Sequence, residues 1–205
     1  MIPKIIHQTW KSLDQLSPSH RMCRQKNLAL NSWWNGWQHR FVKNVDCRKD
    51  VQQFRPDLLP VFDGFAREVQ KYDLWRLVVV EEFGGFYMDI DMEPVKPLGG
   101  LCIHNCVLGK ETPEKDIANY MFGAAPNHPF INEVLVELQE RAAAMPPANS
   151  HEDIYIMTGP VLWREVYEKH KDKESIILLH HPHWQRFGEY AIHHYEGAWK
   201  WTREK

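Results

Sequence analysis

Asp89 and Asp91 stand two residues apart at the end of the run Gly84-Gly85-Phe86-Tyr87-Met88-Asp89-Ile90-Asp91. Alternate residues of a strand share a side, so the two carboxylates converge, or fan around one site if the strand ends between them. Charges at the end of a run that reads as buried need a positive partner, because an unpaired buried charge is costly. Hard cations such as Mn²⁺ or Mg²⁺ take carboxylate, water and phosphate oxygens together, which suits an Asp-x-Asp pair to anchoring a metal-bound diphosphate. Taken alone, the same pattern also describes a solvated acidic turn.

The elements around the pair change that balance. Asp73 and Arg76 are three apart on a predicted helix from about Phe65 to Phe83, so they share a face, and Leu74, Leu77 and Val78 beside them imply a well-packed helix. Gly84 supplies a left-handed stop, and a strand from Phe86 to Ile90 follows at once. Further strands are expected at Ile2–Thr9, Arg40–Asn44, Cys106–Gly109, Tyr120–Gly123, Ile176–Leu179 and Tyr190–His194. Helices are expected from Pro18 to about Trp34, Asp46–Phe54, Pro129–Met145 and from Pro160 to about His170, with Ala143–Ser150 the most linker-like segment. Alternating strands and helices predict an α/β fold with a mostly parallel central sheet and flanking helices in a single domain. Ligands of such sheets bind beyond the carboxyl ends of the strands, where Asp89 and Asp91 fall.

Bulk properties exclude several classes. A formal net charge of −2 over 205 residues offers no global basic field for nucleic acid. The longest apolar runs fall far short of a membrane span, and the opening strand leaves no room for a cleaved leader, so a soluble or cytoplasmic chain is expected, with any membrane anchor lying outside this sequence. Cys23, Cys47, Cys102 and Cys106 form no CxxC pair and read as small buried thiols rather than a zinc site. His180-His181-Pro182-His183 reads as a solvated loop.

Asp73-Leu74-Trp75-Arg76 followed by Gly84-Gly85-Phe86-Tyr87-Met88-Asp89-Ile90-Asp91 resembles the signature of DXD-containing glycosyltransferases. The likeness is strongest to the retaining group with capsular-polysaccharide enzymes and initiating α-1,6-mannosyltransferases, and more distant to the clostridial glucosylating toxins. Ile2-Pro3-Lys4-Ile5-Ile6-His7-Gln8-Thr9-Trp10 resembles that group's first strand, and His193-His194-Tyr195-Glu196-Gly197-Ala198-Trp199 its C-terminal block, with Ala198 where a serine is common. The resemblance implies a GT-A fold over residues 1–205, with donor binding in about 1–110 and the acceptor side and a metal-closing C-terminal segment in about 111–205. It implies Mn²⁺ (or Mg²⁺) held by Asp91 directly, with His194 as the imidazole ligand, while Asp89 touches the ribose and reaches the metal through water. Trp10 would stack on the base, Asp73 and Arg76 would hold the donor sugar, Tyr87 would bond phosphate or sugar, and Trp199 would cover the diphosphate.

The implied reaction moves a sugar from a UDP- or GDP-linked donor to a hydroxyl of a glycan or protein acceptor with retention. No carboxylate stands out as a nucleophile, which favours front-face displacement. Two rival readings are a catalytically degenerate nucleotide-sugar-binding module, suggested by Ala198, and a DxD phosphohydrolase, which leaves Asp73 and Arg76 unexplained.

Overall fold

The computed structural model describes residues 1–111, 116–183 and 185–196. The chain opens with strand β1 (Ile5–Trp10), helix α1 (Pro18–Leu30) and β2 (Gln38–Lys43), then three helices, α2 (Cys47–Phe54), α3 (Leu59–Gly64) and α4 (Glu68–Phe83). Strands β3 (Gly85–Met88), β4 (Met92–Pro94), β5 (Cys106–Lys110) and β6 (Ile117–Ala124) follow. Helices α5 (Pro129–Ala144), α6 (His151–Met157) and α7 (Pro160–Lys169) precede β7 (Ile176–Leu179), β8 (Arg186–Phe187) and β9 (Ala191–His193).

Six strands form the central sheet in the order β2-β1-β3-β6-β5-β7. The pairings β1–β2, β1–β3 and β5–β7 are parallel, and β6 runs antiparallel to both of its neighbours. Strands β4, β9 and β8 make a second, small antiparallel sheet. The central sheet is buried on both faces. Tyr87 of β3 joins a core with α4, α5 and α7, whereas its neighbours Phe86 and Met88 face Ile6, Trp37 and Leu101 on the other side. Helix α4 is buried almost all round, with Leu74, Trp75, Leu77, Val78, Val79 and Val80 each fully enclosed. Such a helix reads as a continuous apolar run, and it packs against α2, α5 and the sheet.

Several boundaries differ from expectation for local reasons. Helix α1 stops at Leu30, where the Asn31 N–H closes on the Asn27 carbonyl and Ser32 turns extended; Trp33–Asn35 is a separate 3₁₀ turn ended by Gly36 at φ 82°. Phe65 is extended, so the long helix begins at Glu68 and the preceding residues form α3. The linker-like segment ends in a capping box, with Ser150 and Asp153 bonding each other's backbone, which starts the unanticipated α6. All four cysteines are free thiols.

The Gly84-Gly85 turn is what brings α4 onto β3. Gly84 has the expected positive φ of 63°, but with ψ −161° it lies in the extended mirror region open only to glycine, not in a left-handed helical stop. Gly85 has φ 94°, and a Cβ there would stand 2.5 Å from the Ile5 carbonyl oxygen. Gly85→Ala is therefore expected to cost about 3 kcal/mol or more. A thermal midpoint lowered by about 6–12 °C would match; one within ~2 °C of the parent would refute the close β1–β3 approach.

Candidate active site

The helix–turn–strand hairpin sets the reach of its side chains. Arg76 lies eight residues before Gly84 on a helix, about 12 Å of rise, and Asp89 five residues after it on an extended chain, about 16 Å. The two arms are of comparable length, and the one-turn-apart pair on α4 meets the carboxylates beyond the end of β3. Asp73 and Arg76 form an ion pair at 3.0 Å, and Arg76 lies 3.6 Å from Asp89. The Arg76 guanidinium also sits 4.4 Å from the centre of the Tyr87 ring, and the Tyr87 hydroxyl donates to Asp89.

Strand β3 ends at Met88, and Asp89–Met92 form a tight turn closed by the Met92 N–H on the Asp89 carbonyl. The carboxylates thus fan around a shared site instead of lining one strand face. Asp91 is buried, while Asp89 is partly open. The antiparallel β6 continues past this point: the Asp89 N–H donates to the Tyr120 carbonyl, and Asn119 follows. Asn119 grips both members of the helical pair, accepting from Arg76 through its carbonyl at 2.7 Å and donating from its side chain to Asp73 at 3.2 Å. From the turn before α7, the fully buried Thr158 hydroxyl donates to the other Asp73 oxygen at 2.7 Å.

Burial and charge act in opposition here. Burial raises the Asp73 carboxyl to about 6, although Arg76 and Thr158 pull it down. Burial also lifts Asp89 above the usual carboxylate range against the pull of Arg76. Burial pushes Asp91 the same way, but the hydrogen bond and charge of His193 and the Glu196 N–H hold it below its ordinary value. Burial opposes the Arg76 charge, yet Tyr87, Asp73 and Asp89 together hold its proton more firmly than usual. Three carboxylates against one guanidinium leave surplus negative charge in a largely enclosed place.

His193 is the imidazole that faces this surplus. Its Nε2 lies 3.3 Å from Asp91 and 4.0 Å from Asp89, and one ligand atom from each of the three residues falls within 4.8 Å of the others. Two carboxylate oxygens and one imidazole nitrogen form a donor set that fits Mn²⁺ or Mg²⁺, and a divalent charge would offset the excess. His194 is not brought to the carboxylates. The β4–β9 register pairs Met92 with His193, adjacent side chains point apart, and His194 turns to Glu93 at 2.7 Å, where Lys26 also ends. The tail then crosses back over Asp91: the Glu196 N–H donates to Asp91 at 2.9 Å, and the Glu196 carboxylate reaches His20 of α1 and Ser17, the residue that caps it.

These groups line a cavity of about 570 Å³ at the carboxyl ends of β1, β2 and β3. Trp10, at the end of β1, forms part of its wall, edge-on to His20 at 4.7 Å between ring centres. Tyr120 and Tyr195, which flank His193 at 4.3 and 3.9 Å, also line the cavity, and α6 adds Ile154 and Tyr155. Trp10, Asp73, Arg76, Tyr87, Asp89 and Asp91 thus share one cavity with His193, while Trp199 and Ala198 lie outside the described residues. Sequence reasoning missed Asn119 and the contact of Thr158. A lone amide in the apolar strand Ile117–Ala124 was a usable signal; the reach of Thr158 across 85 positions had none.

Thr158→Val keeps the shape but removes the donor to Asp73. A buried acceptor loses its partner, so a destabilisation of about 1–3 kcal/mol is expected. Thr158→Ser should restore it. Equal melting of all three proteins would show that the bond carries no weight.

Comparison with known proteins bears on this geometry. Residues 16–112 match the family described as glycosyltransferase sugar-binding region containing DXD motif. Inositol phosphoceramide mannosyltransferase 1 of Schizosaccharomyces pombe is 28% identical over 142 residues, covering 68% of this chain and 43% of that protein. Mannosyl phosphorylinositol ceramide synthase SUR1 of Saccharomyces cerevisiae is 26% identical over 205 residues, covering 94% of this chain and 50% of that protein. The chain therefore spans about half the length of these curated relatives. Among solved structures, PaToxG Glycosyltransferase superposes with a TM-score of 0.61 at 17% identity, covering 85% of this chain and 73% of that one, a likeness of fold.

Proposed function

We propose that this chain, whose residues 16–112 match the glycosyltransferase sugar-binding region containing DXD motif, is a glycosyltransferase of the GT-A type that transfers a sugar from a nucleotide diphosphate to an acceptor hydroxyl with divalent-cation dependence. The observation that carries this reading is the convergence of Asp89, Asp91 and His193 beside the Asp73–Arg76 pair at the cavity wall. Asp89, Asp91 and His193 would hold the cation, which when bound supplies a Lewis acid that neutralises charge on the departing diphosphate.

The protein's own groups do the rest. Trp10 offers a flat aromatic surface to the base. Asp73, held by Asn119 and Thr158, accepts from sugar hydroxyls, and Arg76 presents fixed positive charge toward the leaving group. Tyr87 holds Asp89 in place. Residues about 1–110 bind the donor, and about 111–205 supply the acceptor side and the segment that closes over Asp91. Asp73, Asp89 and Asp91 are each already tied to neighbouring groups, which favours front-face displacement with retention over a free carboxylate nucleophile. In that step the acceptor oxygen bonds the anomeric carbon as its bond to the diphosphate oxygen breaks, and the acceptor proton leaves with the diphosphate. The names of the relatives make a mannosyl donor and an inositol-phosphate-bearing acceptor the first to test. Among the described residues no helix is long and apolar enough to cross a membrane.

The test is a panel of UDP- and GDP-sugars assayed with and without Mn²⁺, in the parent, His193→Ala and His194→Ala. Loss of a metal ligand should weaken Mn²⁺ binding and turnover by about 10–100-fold in His193→Ala, with His194→Ala within ~3-fold of the parent. The reverse order would move the imidazole ligand to His194, and metal-independent turnover would reject the cation site.

A further inference from the structure

The turn Ser32–Gly36 displays two tryptophans to solvent. Trp33 and Trp34 are 65% and 78% exposed, and their rings stack with centres 3.6 Å apart. This is not a frayed loop. The Asn35 N–H bonds the Ser32 carbonyl, the Gly36 N–H bonds the Trp33 carbonyl, and the next residue, Trp37, is buried against Phe86. The core thus clamps the turn so that the indole pair points outward.

The surroundings are basic. Asp14 is the only acidic residue among the first 45, against seven lysines and arginines, of which Lys26 and Arg40 pair with Glu93 and Asp50 from elsewhere in the chain. Lys4 reaches the Asn35 carbonyl at the base of the tryptophan turn, and Arg21 ends on the Leu16 and Asp14 carbonyls, so neither charge is spent on a carboxylate in these contacts. Along α1, about 20 Å long, Arg21, Met22, Gln25 and Leu28 continue the exposed strip to the turn.

We propose that the Trp33–Trp34 turn and the exposed face of α1 form a peripheral docking surface for an anionic phospholipid bilayer. Indoles seat at the headgroup level, where an apolar ring and a polar N–H are both satisfied, and nearby Lys and Arg gain attraction from anionic lipid. A neutral glycan could stack on the rings but would draw nothing from the positive charge of Lys4 and Arg21. The tryptophan turn lies at the start of β1 and β2, at the opposite end of the sheet from Asp89 and Asp91, and α1 runs from there to the cavity rim, where His20 forms part of the wall.

The experiment is co-sedimentation with vesicles of phosphatidylcholine alone or with about one third phosphatidylserine, at low and high salt. The parent should bind the anionic vesicles, lose them at high salt, and show a blue-shifted indole emission. The Trp33→Ala/Trp34→Ala double variant should partition at least ~10-fold less, and Lys4→Glu/Arg21→Glu should also weaken binding, while melting and donor turnover stay at parent values. Equal partition into neutral and anionic vesicles, unchanged partition of the double variant, or binding of the indole pair to a soluble glycan in place of vesicles would each overturn the proposal.

Discussion

Asp91→Asn is expected to lower cation-dependent turnover of the sugar donor by about 10³-fold or more, equivalent to roughly 4 kcal/mol of lost transition-state stabilisation. Asp91 is the buried member of the acidic pair, and one oxygen faces His193 while the other accepts the Glu196 N–H. An amide keeps the volume but removes the charge on which a divalent cation depends, and its NH₂ would face a donor on one side. The Mn²⁺ titration and kcat/KM should fall together. The fold should survive with a cost of about 1–3 kcal/mol, because one buried hydrogen bond is weakened. Turnover within tenfold of the parent would remove Asp91 from the site.

Arg76→Met should produce the largest loss of stability. Arg76 faces Asp73 and Asp89, lies over Tyr87 and donates to the Asn119 carbonyl, all within a buried cluster. Removing one partner of a buried pair leaves its carboxylates uncompensated, at a cost of about 3–5 kcal/mol. The pH dependence distinguishes this cause from lost packing. Asp73 already sits at about 6 through burial, with Arg76 opposing the rise. Without the guanidinium the folded-state value rises further above the unfolded one. The folded state then prefers the protonated acid, so the penalty is largest above that raised value and shrinks as pH falls toward the unfolded carboxylate range. The gap in melting temperature between variant and parent should narrow from pH 7.5 to pH 5. Asp73→Asn added to Arg76→Met should recover part of the loss at neutral pH. A gap that stays constant with pH, and no recovery in the double variant, would assign Arg76 a packing role only.

The fold and half the site were legible because the relevant signals are local. Helical spacing placed Asp73 and Arg76 on one face, Gly84-Gly85 marked a reversal, and an aromatic strand pointed the acidic pair toward the carboxyl end of a sheet. Each is a relation within a few residues, governed by backbone geometry. The ends of α1 and the start of α6 were less legible, because Asn31 and Ser150 act through capping bonds that compete closely with continued helix or coil.

The sequence by itself determined that an Asp-x-Asp pair follows a charged helix across a glycine turn, and so what chemistry the centre of the chain can support. Only the tertiary structure decided which histidine meets that pair. His193 and His194 are equivalent as neighbours in sequence, and their difference arises from the antiparallel register that sets His193 against Met92, a contact across 101 positions. Thr158 and Asn119 are likewise joined to Asp73 only by packing of distant elements. Long-range register and packing are collective outcomes of burying one core, and no short window of residues encodes them.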